Sequence, residues 1–300
     1  MGIVLAFAAA FVIAVSVLGQ VYLKDRLLET PLDASVQRTL EGDAVVAGET
    51  ETVRVTRSSS VDPARSDGSI ASWRRSTCTV ITSGATPDCL SSSESDGRLL
   101  RATLDDVATD RRTGAAVNDP ANLPPDALPH EGQVERWPAD AQKKSYLYWY
   151  EPAATGIETT FDRTDRVDGL LCYVYVADLD SLRTSAPDGQ FAGYLGGTVE
   201  LWVEPLTGTI VRERDDLSPT AGKVSRLTVE STADNVKTLT GEAADLRDRV
   251  RLLTHTLPLV GYAVGLVLLA AAFALLLLGR REDARGKHSA PRPSLPADHV

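Results

Sequence analysis

Histidine occurs four times, cysteine three times and methionine once in 300 residues, and each shortage removes a class of chemistry. His288 and His299 fall in a polar C-terminal tail and His255 stands beside a long apolar run. That leaves His130, in the Pro-rich stretch "PPDALPHEGQ", to serve a folded domain. A lone loop histidine without a G-x-S-x-G or H-E-x-x-H motif reads as a solvated side chain. No catalytic residue, cofactor site or metal site is therefore expected, and the chain reads as non-enzymatic. The spacing of Asp162, Asp165 and Asp168 does not fit a D-x-D-x-D-G calcium loop and reads as turn chemistry. Basic residues are also short. Outside the tail there are 26 against 38 acidic ones, a balance that repels nucleic acid.

Long apolar runs are missing from the middle of the chain and present at both ends. Leu257 to Leu278 holds 22 residues without a charge, long enough to span a hydrocarbon layer of roughly 30 Å. Arg280 and Arg281 follow it directly, which orients the tail to the cytoplasm. Ile3 to Leu23 is apolar apart from Ser16, Gln20 and Tyr22. Only Met1-Gly2 precedes it, and a cut after Gly19 would put Val17 at the minus-three position, so an uncleaved anchor is expected rather than a signal peptide. The expected organisation is an anchor over 1–29, an extracytoplasmic β-rich domain over 30–232, a juxtamembrane amphipathic helix over 233–256, a transmembrane helix over 257–279 and a disordered basic tail over 280–300. Both termini would be cytoplasmic, and the protein would sit in the cell membrane as a two-pass chain.

An outside location agrees with the cysteines. Cys78 and Cys89 bracket a short Gly/Pro loop and read as a disulfide, while Cys172, inside "GLLCYVYV", reads as a buried core thiol. Between Thr50 and Glu230, short runs of Val, Ile, Thr, Tyr and Trp alternate with Gly, Pro, Asp and Ser, the pattern of antiparallel sheet. Strands are expected at 51–58, 69–77, 98–109, 144–150, 158–167, 170–178, 197–204 and 209–215. In "TVELWVEP", Val199, Leu201 and Val203 should face one way and Trp202 the other. The fold class is mainly β: a sandwich or a curved half-barrel sheet, flanked by N- and C-terminal transmembrane helices. Tyr146, Tyr148, Trp149 and Tyr150 share one strand and read as cross-strand packing.

One turn design occurs twice, with Val107 and Val117 around Thr113-Gly114 and Val203 and Val211 around Thr207-Gly208. Each reads as a hairpin closed by a left-handed glycine. The segments "TDRRTGAAVND", "KKSYLYWYEPAATG", "DRVDGLLCYVYV", "LWVEPLTGTIV" and "DLRDRVRLLTHTLPLV" resemble, in that order, landmarks of the actinobacterial PorA family, also described as a domain of unknown function. The resemblance runs from about Val107 to Leu278 and includes both end helices. It implies a helix, an extracytoplasmic β-rich domain, a closing helix and a short tail. The family pattern commonly carries Phe-Pro-Phe where this chain reads "RWPADAQ", so the packing around Trp137 and Pro138 does not follow from the resemblance.

The porin name implies an oligomeric channel or transport component. A membrane barrel needs strands of about 9–11 residues with an apolar outer band, and the strands here read as short and acidic. The preferred reading is a twice-anchored envelope protein whose β domain is a binding or scaffolding module, with envelope lipid as the candidate ligand. Val236, Leu239, Ala243, Leu246, Val250 and Leu253 form a heptad seam, and Ala6, Ala10, Ala14, Gly261 and Gly265 are small residues suited to close helix packing. A homo-oligomer through 236–278 and an intramolecular helix hairpin both follow from these patterns.

Overall fold

The structure, a computed structural model, describes residues 2–82, 88–91, 96–185 and 191–288. It divides into two compact units, Leu28–Asp248 and a helical unit of Met1–Leu27 with Arg249–Val300.

The larger unit is one antiparallel sheet of eleven strands: β1 (Ser35–Val46), β2 (Glu49–Val61), β3 (Ile70–Ile81), β4 (Leu99–Asp110), β5 (Ala116–Val117), β6 (Tyr146–Tyr150), β7 (Thr155–Val167), β8 (Leu170–Ser185), β9 (Phe191–Val203), β10 (Ile210–Pro219) and β11 (Val224–Ser231). The strand order is β5-β4-β3-β2-β1-β11-β10-β9-β8-β7-β6. The chain thus lays down two hairpin-connected halves, and β1 and β11 join them in the middle. The curled sheet is a half-barrel. All eight expected strands are present, and three more, β1, β5 and β11, carry the central join and one edge. Several are longer than their apolar patterning indicated: β8 has 16 residues and β2, β7 and β9 have 13 each.

Alternation assigns each face. Val199, Leu201 and Val203 join Tyr148, Tyr150, Tyr175 and Trp137 in the principal core. Trp202 points the other way, into a second cluster with Val174, Val211, Leu239 and Ala243. Leu239 and Ala243 belong to helix α3 (Ala233–Arg251), so this part of the heptad seam is occupied by the outer face of β8–β10. The aromatic strand packs as expected: Tyr146 and Tyr148 lie 6.3 and 5.1 Å from Trp137, ring centroid to centroid, and Trp149 packs in a further cluster with Trp73 and Val107.

Helix α1 (Gly2–Leu18) runs through a π-helical turn at Gly19–Leu23 into the short α2 (Lys24–Leu28), and the helical unit also contains a second π-helical turn at Leu252–Thr256 and α4 (Leu257–His288). The second π turn has a cause in sequence. Pro258 has no N–H to offer the Thr254 carbonyl, and a wider turn accommodates the loss. One helix, continuous over Ala233–Leu278, is long and apolar enough to cross a membrane; the N-terminal apolar helix, Ile3–Leu18, is shorter. Residues 280–288, expected in a disordered tail, continue α4 as helix, and residues 289–300 lie outside the described residues.

Gly261 and Gly265 face α1. A Cβ at Gly261 would overlap Ser16 Oγ, and one at Gly265 would come within 2.5 Å of Ile13 Cγ1. The expected partners on α1 need correcting. Ala10 and Ala14 are exposed and Ala6 is half-buried, while Ala9 and Ser16 are buried. Steps of four drift around a 3.6-residue helix by about 40° each, so 6, 10 and 14 leave the contact line that steps of four and three, through 9, 13 and 16, keep.

Candidate functional site

A groove of ≈ 530 Å³ opens in the β unit where strands from both halves of the sheet approach one another. Its apolar lining comes from Leu100 on β4, Leu195 on β9, Leu217 on β10 and Val224 and Leu227 on β11, with Tyr194 half-exposed beside them. Arg101 and Lys223 supply two cations on the same lining. Arg101 is held by Glu151 at 2.9 Å, and Thr103 donates to the same Glu151 oxygen at 2.9 Å. These residues sit here because β4 brings Leu100 to Thr103 across from the turn that ends β6, at Glu151–Ala153.

Elsewhere in the β unit the interior carries buried charge. Arg38, Arg57 and Arg75, on β1, β2 and β3, all point inward and are buried. Arg38 and Arg57 are cross-strand partners, and Arg75 pairs with Ser59 in the next ladder. Their counter-charges come from two places. Glu135, in the connection between β5 and β6, lies 3.0 Å from Arg38 and 2.8 Å from Arg75, and accepts a hydrogen bond from Ser59 Oγ at 2.8 Å. Glu213 and Asp215, on β10, both face Arg57, and Tyr150 Oη donates to Asp215 at 3.1 Å.

Burial alone would raise the Glu135 pKa, but the guanidinium groups of Arg75 and Arg38 and the Ser59 hydroxyl outweigh it and hold the carboxylate below its ordinary range. Asp215 goes the other way. Burial and the neighbouring Glu213 push it to about 7, and Arg57 offsets only part of that. A carboxyl whose folded pKa exceeds its unfolded one, about 3.9, binds more protons folded than unfolded. Its contribution is therefore complete below about pH 4 and lost as pH rises through 7. Between pH 5 and 7, urea midpoints should fall by the equivalent of about 2 kcal/mol on this account, and Asp215→Asn should flatten the slope. Glu135 has the opposite sign and acts only in the acid range below the ordinary carboxylate pKa. A slope unchanged in Asp215→Asn would contradict the assignment.

The connection that carries Glu135 is a strap. Gln133 forms bridges with Ala115 on one side and Tyr148 on the other, so one residue links the β5 hairpin to β6. Both left-handed turn glycines close against this strap. Gly114, at φ 73°, and Gly208, at φ 75°, leave room for Arg136 and Trp137, and the Gly208 carbonyl accepts from Trp137 N at 2.8 Å. Trp137, where the family pattern offered no guide, is the hub of the aromatic core. His130 corrects an expectation. It is buried, not solvated, with Nε2 2.9 Å from Asp105 and its ring 4.3 Å from that of Trp149, because the strap folds back over the sheet edge.

Cys78 and Cys89 form a disulfide with 5.6 Å between Cα atoms, closing a loop whose cross-link is worth roughly 2–4 kcal/mol. Cys172 is a buried free thiol, and burial pushes it up to about 12, which leaves it unreactive. Asp165 accepts from Trp202 Nε1 at 2.9 Å. Among the described residues no cluster of His, Cys, Asp and Glu suits a metal ion.

No curated protein matches the chain. Among solved structures, a domain described as an outer membrane lipoprotein-sorting protein from Vibrio parahaemolyticus is 6% identical over 73% of this chain and 96% of its own length, with a TM-score of 0.17; that likeness carries no argument about fold or ligand. The family model described as Porin PorA matches residues 1–274, most of the chain and well beyond the five segments that first suggested it. The chain belongs to the porin PorA family.

Proposed function

We propose that this protein is a twice-anchored cell-envelope protein whose β domain lies outside the membrane and binds envelope lipid without enzymatic action. The observation that carries the reading is the groove: its apolar lining from β4, β9, β10 and β11 offers an acyl chain a wall, and Lys223 on the same lining offers its head group a cation, Arg101 being already paired with Glu151. The two-pass arrangement has support in the helices. The π-helical turn prolongs α1 without a break, so helical geometry covers the apolar run from Gly2 to Leu23. A cross-linked Cys78–Cys89 pair suits an oxidising exterior.

The family name invites a channel, and the residues of the sheet argue against the strands forming one in a bilayer. Exposed strand positions include Gln37, Glu41, Asp43, Glu158, Asp162 and Arg226, where a membrane barrel needs an apolar band. The interior, where a barrel pore would run, holds Trp137, Tyr150, Tyr175 and the Arg–Glu network.

Full-length protein purified in mild detergent should carry lipid-sized adducts in native mass spectrometry, and Leu227→Glu, which puts a charge on the groove wall, should lower their abundance about tenfold. Protein free of adducts, or adducts indifferent to Leu227→Glu, would remove the lipid from the reading.

A further inference from the structure

The eleven strands are joined by ladders from β5 to β6, but these two edges meet along a seam held in a different way. The seam has three kinds of tie. Backbone bonds pass through the strap: Gln133 N to Leu147 O and Trp149 N to Gln133 O, each 2.7 Å, and Ala116 N to Gly132 O at 2.8 Å. Side chains pair across it, with His130 on Asp105 and Glu151 on Arg101 and Thr103. Glu135 plugs the arginines of β1 and β3 from the strap side.

Polar satisfaction is poorest along this line. Twelve buried side-chain polar atoms lack a hydrogen-bond partner among the described residues; four belong to the strap and the end of β6, His130 Nδ1, Trp137 Nε1, Trp149 Nε1 and Glu151 Oε2, and three more, Arg38 Nε and Arg75 Nε and Nη1, to the arginines that face the strap's Glu135. Arg75 Nε lies 2.8 Å from Glu135 but is not aligned to donate. A buried polar group left without a partner destabilises the arrangement that buries it. The groove borders the same line, since Arg101, Thr103 and Pro152 contribute to its lining.

We infer that the sheet opens along this seam, with residues 130–137 lifting as one strap to part β5 from β6 and widen the groove, while the strand ladders stay intact. Imperfect polar contacts lower the cost of opening a segment locally, and the apolar anchors that the strap has to withdraw are Val134 and Trp137. The opening stands on the seam alone; its use as a route for lipid rests on the reading proposed above.

Amide hydrogen exchange on the full-length protein in detergent tests it. The Gln133 and Trp149 amides should exchange at least tenfold faster than those of the β8–β9 ladder. Glu135→Gln should speed the strap amides about tenfold more and leave β8–β9 unchanged. Glu151→Gln, at the other end of the seam and farther from the buried arginines, should act in the same direction and serves if Glu135→Gln does not fold. One common rate for strap and ladder, in wild type and variant alike, would overturn the inference. Fast strap exchange in protein that holds no lipid would keep the seam and discard the ligand.

Discussion

Gly208→Ala is expected to destabilise the β unit by about 4–5 kcal/mol, at the far end of what single substitutions do. Two effects add. The backbone at φ 75° disfavours any Cβ, and a Cβ at this position would overlap the carbonyl oxygen of Trp137. The strap would have to move, taking with it the Trp137 N to Gly208 O bond and the indole that touches Tyr146, Tyr148 and Tyr175. Gly222 provides the control. Its φ is 87°, yet nothing lies within 4 Å of a built Cβ, so Gly222→Ala should show the left-handed strain alone, about 1–2 kcal/mol. Urea unfolding of both variants separates the terms, and equal losses would mean that contact with the strap contributes nothing.

Glu135→Ala should cost about 3–5 kcal/mol, because it leaves the buried guanidinium groups of Arg38 and Arg75 without their shared counter-charge. Removing the arginines together with it should recover part of the loss, since an apolar replacement of a whole buried ion network is often near neutral. A double variant Glu135→Leu with Arg38→Met that is more stable than Glu135→Ala alone would agree with this. A Glu135→Ala loss below about 1 kcal/mol, the range of an exposed pair, would contradict it.

These two residues also mark where the sequence could be read and where it could not. The turn around Thr207-Gly208 was legible because its glycine punctuates two alternating runs. What the glycine faces was not, since Trp137 approaches from 71 residues away in sequence. The arginines had a signal that polarity hid. In "TVRVTRSSSV", Val53, Val55, Arg57, Ser59 and Val61 share the period of two, so Arg57 and Ser59 had to face the core with the valines. β1 was missed for the same reason, since its inward positions include Arg38 beside Leu40 and Ala44, which breaks the apolar period. The disulfide was plain from loop chemistry, and the family from five weak motifs in order. The α1 face was misread because small residues were counted by type at a spacing that leaves the contact line.

The central claim, that the β domain binds rather than conducts, meets its most direct test in planar bilayers. Purified full-length protein, with its lipid adducts documented, should give no discrete conductance steps. Reproducible steps that vanish when Gly261 and Gly265 are replaced by isoleucine, which would force α4 from Ser16 and Ile13 of α1, would contradict the binding reading and vindicate the porin name.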